Sequence, residues 1–185
     1  MCGVTPPMFD ESVILIAAAS YSGKRMELFD HNNIAGYHVS NGVKYPGYRC
    51  TSNTGAFTYY EGKWKFSFDN YAPELDSAAA HHGAAFAQEM LIHEAEIKHT
   101  QKSDDNVNVF RALCELDGRL CIIESKTSVK FGDFKSALRQ IGVTEALYLD
   151  MGGWNHAWYR PTSDTIVELH PKGHNYYTNW ITFFR

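Results

Sequence analysis

The stretch "VFRALCELDGRLCIIES" (109–125) constrains this chain more than any other. Apolar residues flank Asp117-Gly118, a pair that readily takes the left-handed backbone a tight hairpin turn needs. If the loop has two residues, Cys114 and Cys121 fall opposite one another. Their Cα atoms then lie roughly 5.5 Å apart, within disulfide range. A three-residue loop with a bulge shifts that pairing. The reading adopted is two small buried thiols, because free cysteine often sits in cores. Directly after the hairpin, "FGDFKSALRQIG" (131–142) places Phe134, Ala137, Leu138 and Ile141 at helical spacing. Asp133 is the expected N-cap and Gly142 the residue just past the end. "TEALYLD" (144–150) returns as a strand. Hairpin, helix, strand means that helices interleave with a sheet.

The rest of the chain fits that pattern. "VILIAAASY" (13–21) reads as a buried strand. Gly36–Ser40 is a short strand running into the hairpin pair Asn41-Gly42. Residues 55–68 form a hairpin about Glu61-Gly62, with Trp64, Phe66 and Phe68 alternating with polar residues. A helix follows Pro73, with Leu75, Ala78 and Ala79 on its apolar face and Gly83 as its stop. Residues 84–93 are read as a strand, with helix the alternative. Residues 99–108 are an exposed loop, and 165–171 and 179–184 are final strands, paired with each other or with the sheet. The expected fold is α+β: a mixed, mostly antiparallel β-sheet with a few packed helices, in a single domain over residues 1–185.

Composition narrows the function. The 185 residues carry a net charge of −4, which argues against a nucleic-acid partner. No apolar run approaches the roughly 18 residues of a membrane span, so no transmembrane segment is expected. "MCGVTPPMFDES" lacks the charged start and apolar core of a signal peptide. Aromatic residues make up 14% of the chain, with nine histidines. That fits a protein whose rings stack on sugar faces, and equally a β-rich core.

The chemistry concentrates in "ALYLDMGGWNHAWYR" (146–160). A buried strand ends on Asp150, turns on Gly152 and Gly153, and is expected to expose Trp154, Asn155, His156, Trp158, Tyr159 and Arg160. Asp150 can act as acid, base or anchor. The glycines let a ligand approach the backbone. His156 can move protons near neutral pH, and the Arg160 fork suits phosphate. The alternative is a tight turn with a capping aspartate and core aromatics. Arg111, beside apolar strand residues, needs a partner: an internal acid, or a bound phosphate or carboxylate. In "QEMLIH", strand alternation puts Glu89 and His93 on one face and Gln88 on the other. No metal site is expected. The four cysteines fit no zinc spacing, and Pro171 and Gly173 spoil a helical His170/His174 pair. No nucleotide or zinc-protease motif occurs, and no cofactor is expected.

Taken together, "GAAFAQEMLI", "FRALCELDGRLCIIES" and "FGDFKSALRQIGVTEALYLDMGG" resemble the phosphodiester glycosidase family, most clearly over residues 84–160. Arg111 matches the family's strand arginine, Asp117-Gly118 its hairpin, and Leu149-Asp150-Met151-Gly152-Gly153 its acidic glycine motif. Met151 stands in place of a glycine, and Trp154-Asn155 where Gly-Ser is common. The resemblance implies hydrolysis of a glycosyl–phosphate linkage in a sugar phosphodiester, in a secreted or periplasmic setting. With the residue chemistry above, the candidate catalytic residues are Asp150 and Arg111, which the resemblance matches, and Glu89 and His156, which it does not. Gln88, His93, Gly152, Gly153, Trp154, Asn155 and Arg160 become candidate substrate-binding residues. The alternative is a non-catalytic carbohydrate-binding or surface protein that uses the aromatic loop 154–159.

Overall fold

The computed structural model describes residues 2–3, 6–23, 29–152, 155–170 and 178–185. Its strands are β1 (Cys2–Gly3), β2 (Val13–Ala18), β3 (His38–Ser40), β4 (Val43–Tyr45), β5 (Gly55–Tyr60), β6 (Lys63–Ser67), β7 (Ala84–Gln88), β8 (Met90–His93), β9 (Glu96–Ile97), β10 (Val107–Asn108), β11 (Arg111–Leu116), β12 (Arg119–Glu124), β13 (Val129–Lys130), β14 (Glu145–Leu149), β15 (Ala157–Thr162), β16 (Thr165–His170) and β17 (Thr178–Phe184). Helix α1 spans Glu74–Ala80 and α2 spans Phe131–Gln140. The fold is α+β, and its strand ladders are antiparallel.

Among the described residues, the β-structure is divided among three five-stranded sheets, ordered β1-β17-β2-β15-β16, β12-β11-β14-β8-β9 and β4-β3-β7-β5-β6, and a two-stranded ladder of β10 and β13. Three hairpins turn on the expected pairs. Asn41-Gly42, Glu61-Gly62 and Asp117-Gly118 all hold positive φ at both positions, which matches the right-handed twist of the flanking strands. The two-residue loop at Asp117-Gly118 sets Cys114 opposite Cys121, and both thiols are free. A fourth such turn, Glu94-Ala95, joins β8 to β9 without a glycine.

Helix α2 crosses from β12 to β14, which run parallel with β11 between them. Its cap and face differ from expectation. Lys130, not Asp133, is the N-cap, and Asp133 lies in the first turn, where a carboxylate favours the helix dipole. The buried face is Phe131, Phe134, Lys135 and Leu138, whereas Ala137 and Ile141 are exposed. Starting the helix at Phe131 turns that ring onto Phe110 and Tyr148 and rotates the stripe. Gly142 lies just past the end, at φ +95°. Helix α1 has Pro73 at its N-cap and buries Leu75 and Ala78. Its left-handed closing residue is His82, with Gly83 N–H donating to Ala78 O at 2.7 Å. Gly83 is needed for space, since a Cβ there would lie 2.2 Å from Tyr59 O.

Two segments depart from the sequence reading. Residues 84–93 are not one strand. β7 belongs to the sheet of β3 and β5, β8 to the sheet of β14, and the chain passes between them at Glu89. Residues 157–160 are not an exposed loop. They open β15, which lies between β2 and β16, and Trp158 is wholly buried. The final strands β16 and β17 do not pair with each other; β16 pairs with β15, and β17 with β1 and β2.

The sheets meet where β2 ends. Ser20 Oγ donates to Ala35 O and Ala87 O, at 3.1 and 2.5 Å. Asn179 receives Ser20 N–H at 2.6 Å and donates to Ser20 O at 2.9 Å. Ala19 O accepts the Asp150 N–H at 2.9 Å. The run Ala17-Ala18-Ala19-Ser20 supplies the small buried side chains that let these backbones approach.

Candidate active site

Asp150 follows the last residue of β14, so its side chain is set by that junction rather than by a ladder. Oδ1 accepts the Gly152 N–H at 3.0 Å, and the Ser22 N–H also reaches the carboxylate. The residue is buried, and burial pushes its pKa up to about 6 against the pull of those N–H groups, Lys102 and Arg111.

Glu89 occupies the break between β7 and β8. Its carbonyl accepts the Tyr148 N–H at 2.9 Å, which sets it opposite a residue two places from Asp150, or about 7 Å of strand. Glu89 is fully buried. Oε1 accepts the Gln101 N–H at 2.6 Å and the Lys102 N–H at 3.4 Å, while Oε2 has no partner among the described residues. Burial raises its pKa, and the two N–H groups with the Lys102 and Lys135 charges oppose that. Gln88 is equally buried; its Oε1 accepts Glu89 N–H at 2.9 Å and its Nε2 has no partner among the described residues.

Tyr21 and Tyr148 pack on each other with ring centroids 5.7 Å apart, and both feel the charges of the two acids. Burial raises both phenols, and the charges of Glu89 and Asp150 raise them further, so both are neutral hydrogen-bond donors at any ordinary pH. Tyr148 lies two residues before Asp150, near enough for the Asp150 charge to act on its phenol. Lys102 brings the positive charge. Its ammonium lies 5.2 Å from the Tyr148 ring centre and acts electrostatically on both carboxylates. It also lines a cavity of about 470 Å³ formed by residues 99–104. Tyr21, Tyr148 and Lys102 were not among the residues singled out in the sequence. Tyr148 was legible from alternation with Asp150, but Lys102 sits in a polar loop with no local signal.

The other expected site residues separate. Arg111 is fully buried on the Leu149 side of the sheet and is paired with Glu124, Nη2 to Oε2 at 2.6 Å. Its two terminal nitrogens also donate to Asn155 O at 3.2 Å. It has the internal acid partner, ties down the chain after the Asp150 turn, and adds charge to the Asp150 field. His93 is drawn to Glu145 at 2.8 Å, at the other end of β14 and roughly 17 Å of strand from Asp150. The alternation expected for Glu89 and His93 fails because the chain changes sheets between Gln88 and Met90. His156 is buried against Trp180, with Glu168 at 3.7 Å. Arg160 donates to Val13 O at 3.3 Å, Ser163 O at 3.0 Å and Met8 O, which uses the fork on backbone carbonyls rather than offering it to a phosphate. Gly152 is exposed at the turn. Gly153 and Trp154 lie outside the described residues.

No helix of the described residues is long and apolar enough to cross a membrane. No family model matches the chain, and no curated protein does. Among solved structures, the chain is similar in fold to the catalytic domain of zebrafish N-acetylglucosamine-1-phosphodiester alpha-N-acetylglucosaminidase, auto-inhibited by its pro-peptide, at 14% identity and a TM-score of 0.55 over 84% of this chain. The match spans 55% of that solved chain, and what is shared at this distance is the fold.

Proposed function

We propose that the chain is a hydrolase that cleaves the glycosyl–phosphate bond of a sugar phosphodiester, with Asp150 and Glu89 as its carboxyl pair. The observation that carries this reading is the clustering of two buried acids, both raised by burial, around the same tyrosines and Lys102. Raised carboxyls in one cluster suit acid–base work near neutral pH.

Cleavage of a glycosyl–phosphate bond builds positive charge at the anomeric carbon. Asp150, ionised above pH 6, can stabilise that charge, attack the carbon, or take a proton from water. The departing phosphate is already an anion and needs little protonation. A cation beside it matters more, and Lys102, half-exposed at the cavity, is the group that takes this role. Arg111 is a positioning residue that holds the chain after the Asp150 turn through Asn155 O. The similarity in fold to the catalytic domain of an N-acetylglucosamine-1-phosphodiester alpha-N-acetylglucosaminidase supports this choice of bond.

The test is incubation with hexose- and N-acetylhexosamine-1-phosphodiesters and analysis of both products. The reading expects free sugar and a phosphomonoester, and their loss in Glu89→Gln and Lys102→Met. Sugar 1-phosphate and free alcohol would mean cleavage on the other side of the phosphorus. That result, or no turnover of any of these compounds by folded protein, contradicts the proposal.

A further inference from the structure

A second polar cluster is formed by side chains from three short segments. Cys2 is on β1, His31 opens a 3-10 turn and His38 opens β3. One ligand atom from each lies within 4.8 Å of the other two. We propose that Cys2, His31 and His38 form a binding site for a divalent transition-metal ion of the zinc class. This is independent of the role given to Asp150.

The geometry presents donors rather than merely gathering residues. His38 Nδ1 lies 3.2 Å from Gly36 O. A carbonyl only accepts, so Nδ1 carries the proton and the Nε2 lone pair of the neutral ring points at His31. A backbone carbonyl that fixes one nitrogen of an imidazole and so aims the other is the usual support of a metal-binding histidine. His31 Nδ1 stands 2.8 Å from that Nε2 and donates its proton to it, the proton that a metal ion would displace. The His31 ring is itself fixed, stacked on Tyr45 at 3.5 Å and 4°, with Phe29 edge-on at 4.8 Å. Cys2 is half-buried, with its thiol hydrogen-bonded to Ser40.

The histidine pair fits zinc with a small adjustment. Zn–N bonds of about 2.05 Å in a tetrahedron set the two nitrogens about 3.3 Å apart. The observed 2.8 Å therefore opens by about 0.5 Å, within the reach of side-chain torsions. One thiolate with two imidazoles selects zinc and its transition-metal neighbours over magnesium or calcium. Three protein donors leave a fourth position. Cys2 and His38 both line a cavity of about 740 Å³ whose wall includes Phe57, Phe86 and Trp180, whereas Asp150, Glu89 and Lys102 do not line it. Two of the three donors thus border that cavity. No residue spacing along the chain hints at this site, because the three donors come from elements joined only by tertiary structure.

The test uses the full chain with a histidine-free C-terminal tag, reduced, stripped with chelator and titrated with Zn²⁺ and with Co²⁺. The expected result is one zinc ion per chain and a cobalt complex with a thiolate-to-cobalt charge-transfer band. Cys2→Ser should lose that band. Both Cys2→Ser and His31→Ala should bind zinc more than about 100-fold more weakly, beyond the loss of a mere outer-sphere partner. Should either variant fail to fold, the wild-type cobalt spectrum decides alone. Absence of the thiolate band, no saturable zinc binding by the wild type, or undiminished binding by the folded variants overturns the proposal.

Discussion

Asp150 sits where stability and chemistry pull apart. Its pKa is raised to about 6 from an ordinary 3.8, so between those values the folded state holds a proton that the unfolded state has released. Stability therefore falls as pH rises from about 4 to about 6. The ionised carboxylate at pH 7 costs on the order of 3 kcal/mol relative to a solvated one. Asp150→Asn keeps an acceptor for the Gly152 and Ser22 N–H groups and removes the charge. The expected outcome is a variant more stable at pH 7, with a flatter stability profile between pH 4 and 6 by denaturant unfolding. Its sugar-releasing activity should fall at least about a hundredfold, or about 2.7 kcal/mol in barrier. Equal or lower stability together with retained activity would make Asp150 a structural anchor. At this scale, Asp150, Glu89 and Gln88 were legible because each stands at the end of an apolar run. Arg111 was legible as a charge needing a partner, but which partner was not. Its register opposite Glu124 depends on the hairpin closing with two residues.

Among the elements, the turns were the most legible because their chemistry is local. Asn41-Gly42, Glu61-Gly62 and Asp117-Gly118 each act within a few residues. Glu94-Ala95 was not legible, since its positive φ values are imposed from outside, with Ala95 N–H held by Thr144 O at 2.9 Å. The split of 84–93 was hidden for a similar reason: nothing in "AAFAQEMLIH" marks a change of sheet. Two glycines separate the two kinds of constraint. Gly118, at φ +67°, has no atom within 4 Å of an added Cβ, so Gly118→Ala should cost about 1 kcal/mol through backbone strain alone. Gly83→Ala meets the Tyr59 carbonyl and should cost about 3 kcal/mol or more. Chemical denaturation of both variants checks the order; equal costs would mean that the α1–β5 approach is looser than described.

For the whole molecule, the placement of Asp150 depends on the junction at the end of β2. Ala19 receives the Asp150 N–H, Ser20 binds Ala35 and Ala87, and Asn179 fastens β17 to Ser20. Asn179→Ala would strand a buried N–H and carbonyl of Ser20 and should cost about 3 kcal/mol, read as a lower midpoint of unfolding. An unchanged midpoint would remove Asn179 from the junction. This level was the least legible in the sequence. Trp158 and Arg160 looked like a binding surface because rings and charge beside glycines resemble one, and only packing shows that β15 is enclosed. Lys102 looked like solvated loop, yet its backbone seals Glu89 and its charge faces both acids. The central claim, that the Asp150 carboxylate is the working group, is tested most directly by the pH dependence of kcat/KM for release of free sugar from a sugar-1-phosphodiester. The account predicts a rate that rises with pH through about 6 and levels off above about 7, with that limb absent from any residual activity of Asp150→Asn. A wild-type rate that is flat across pH 5–7, or that falls as pH rises through 6, would contradict it.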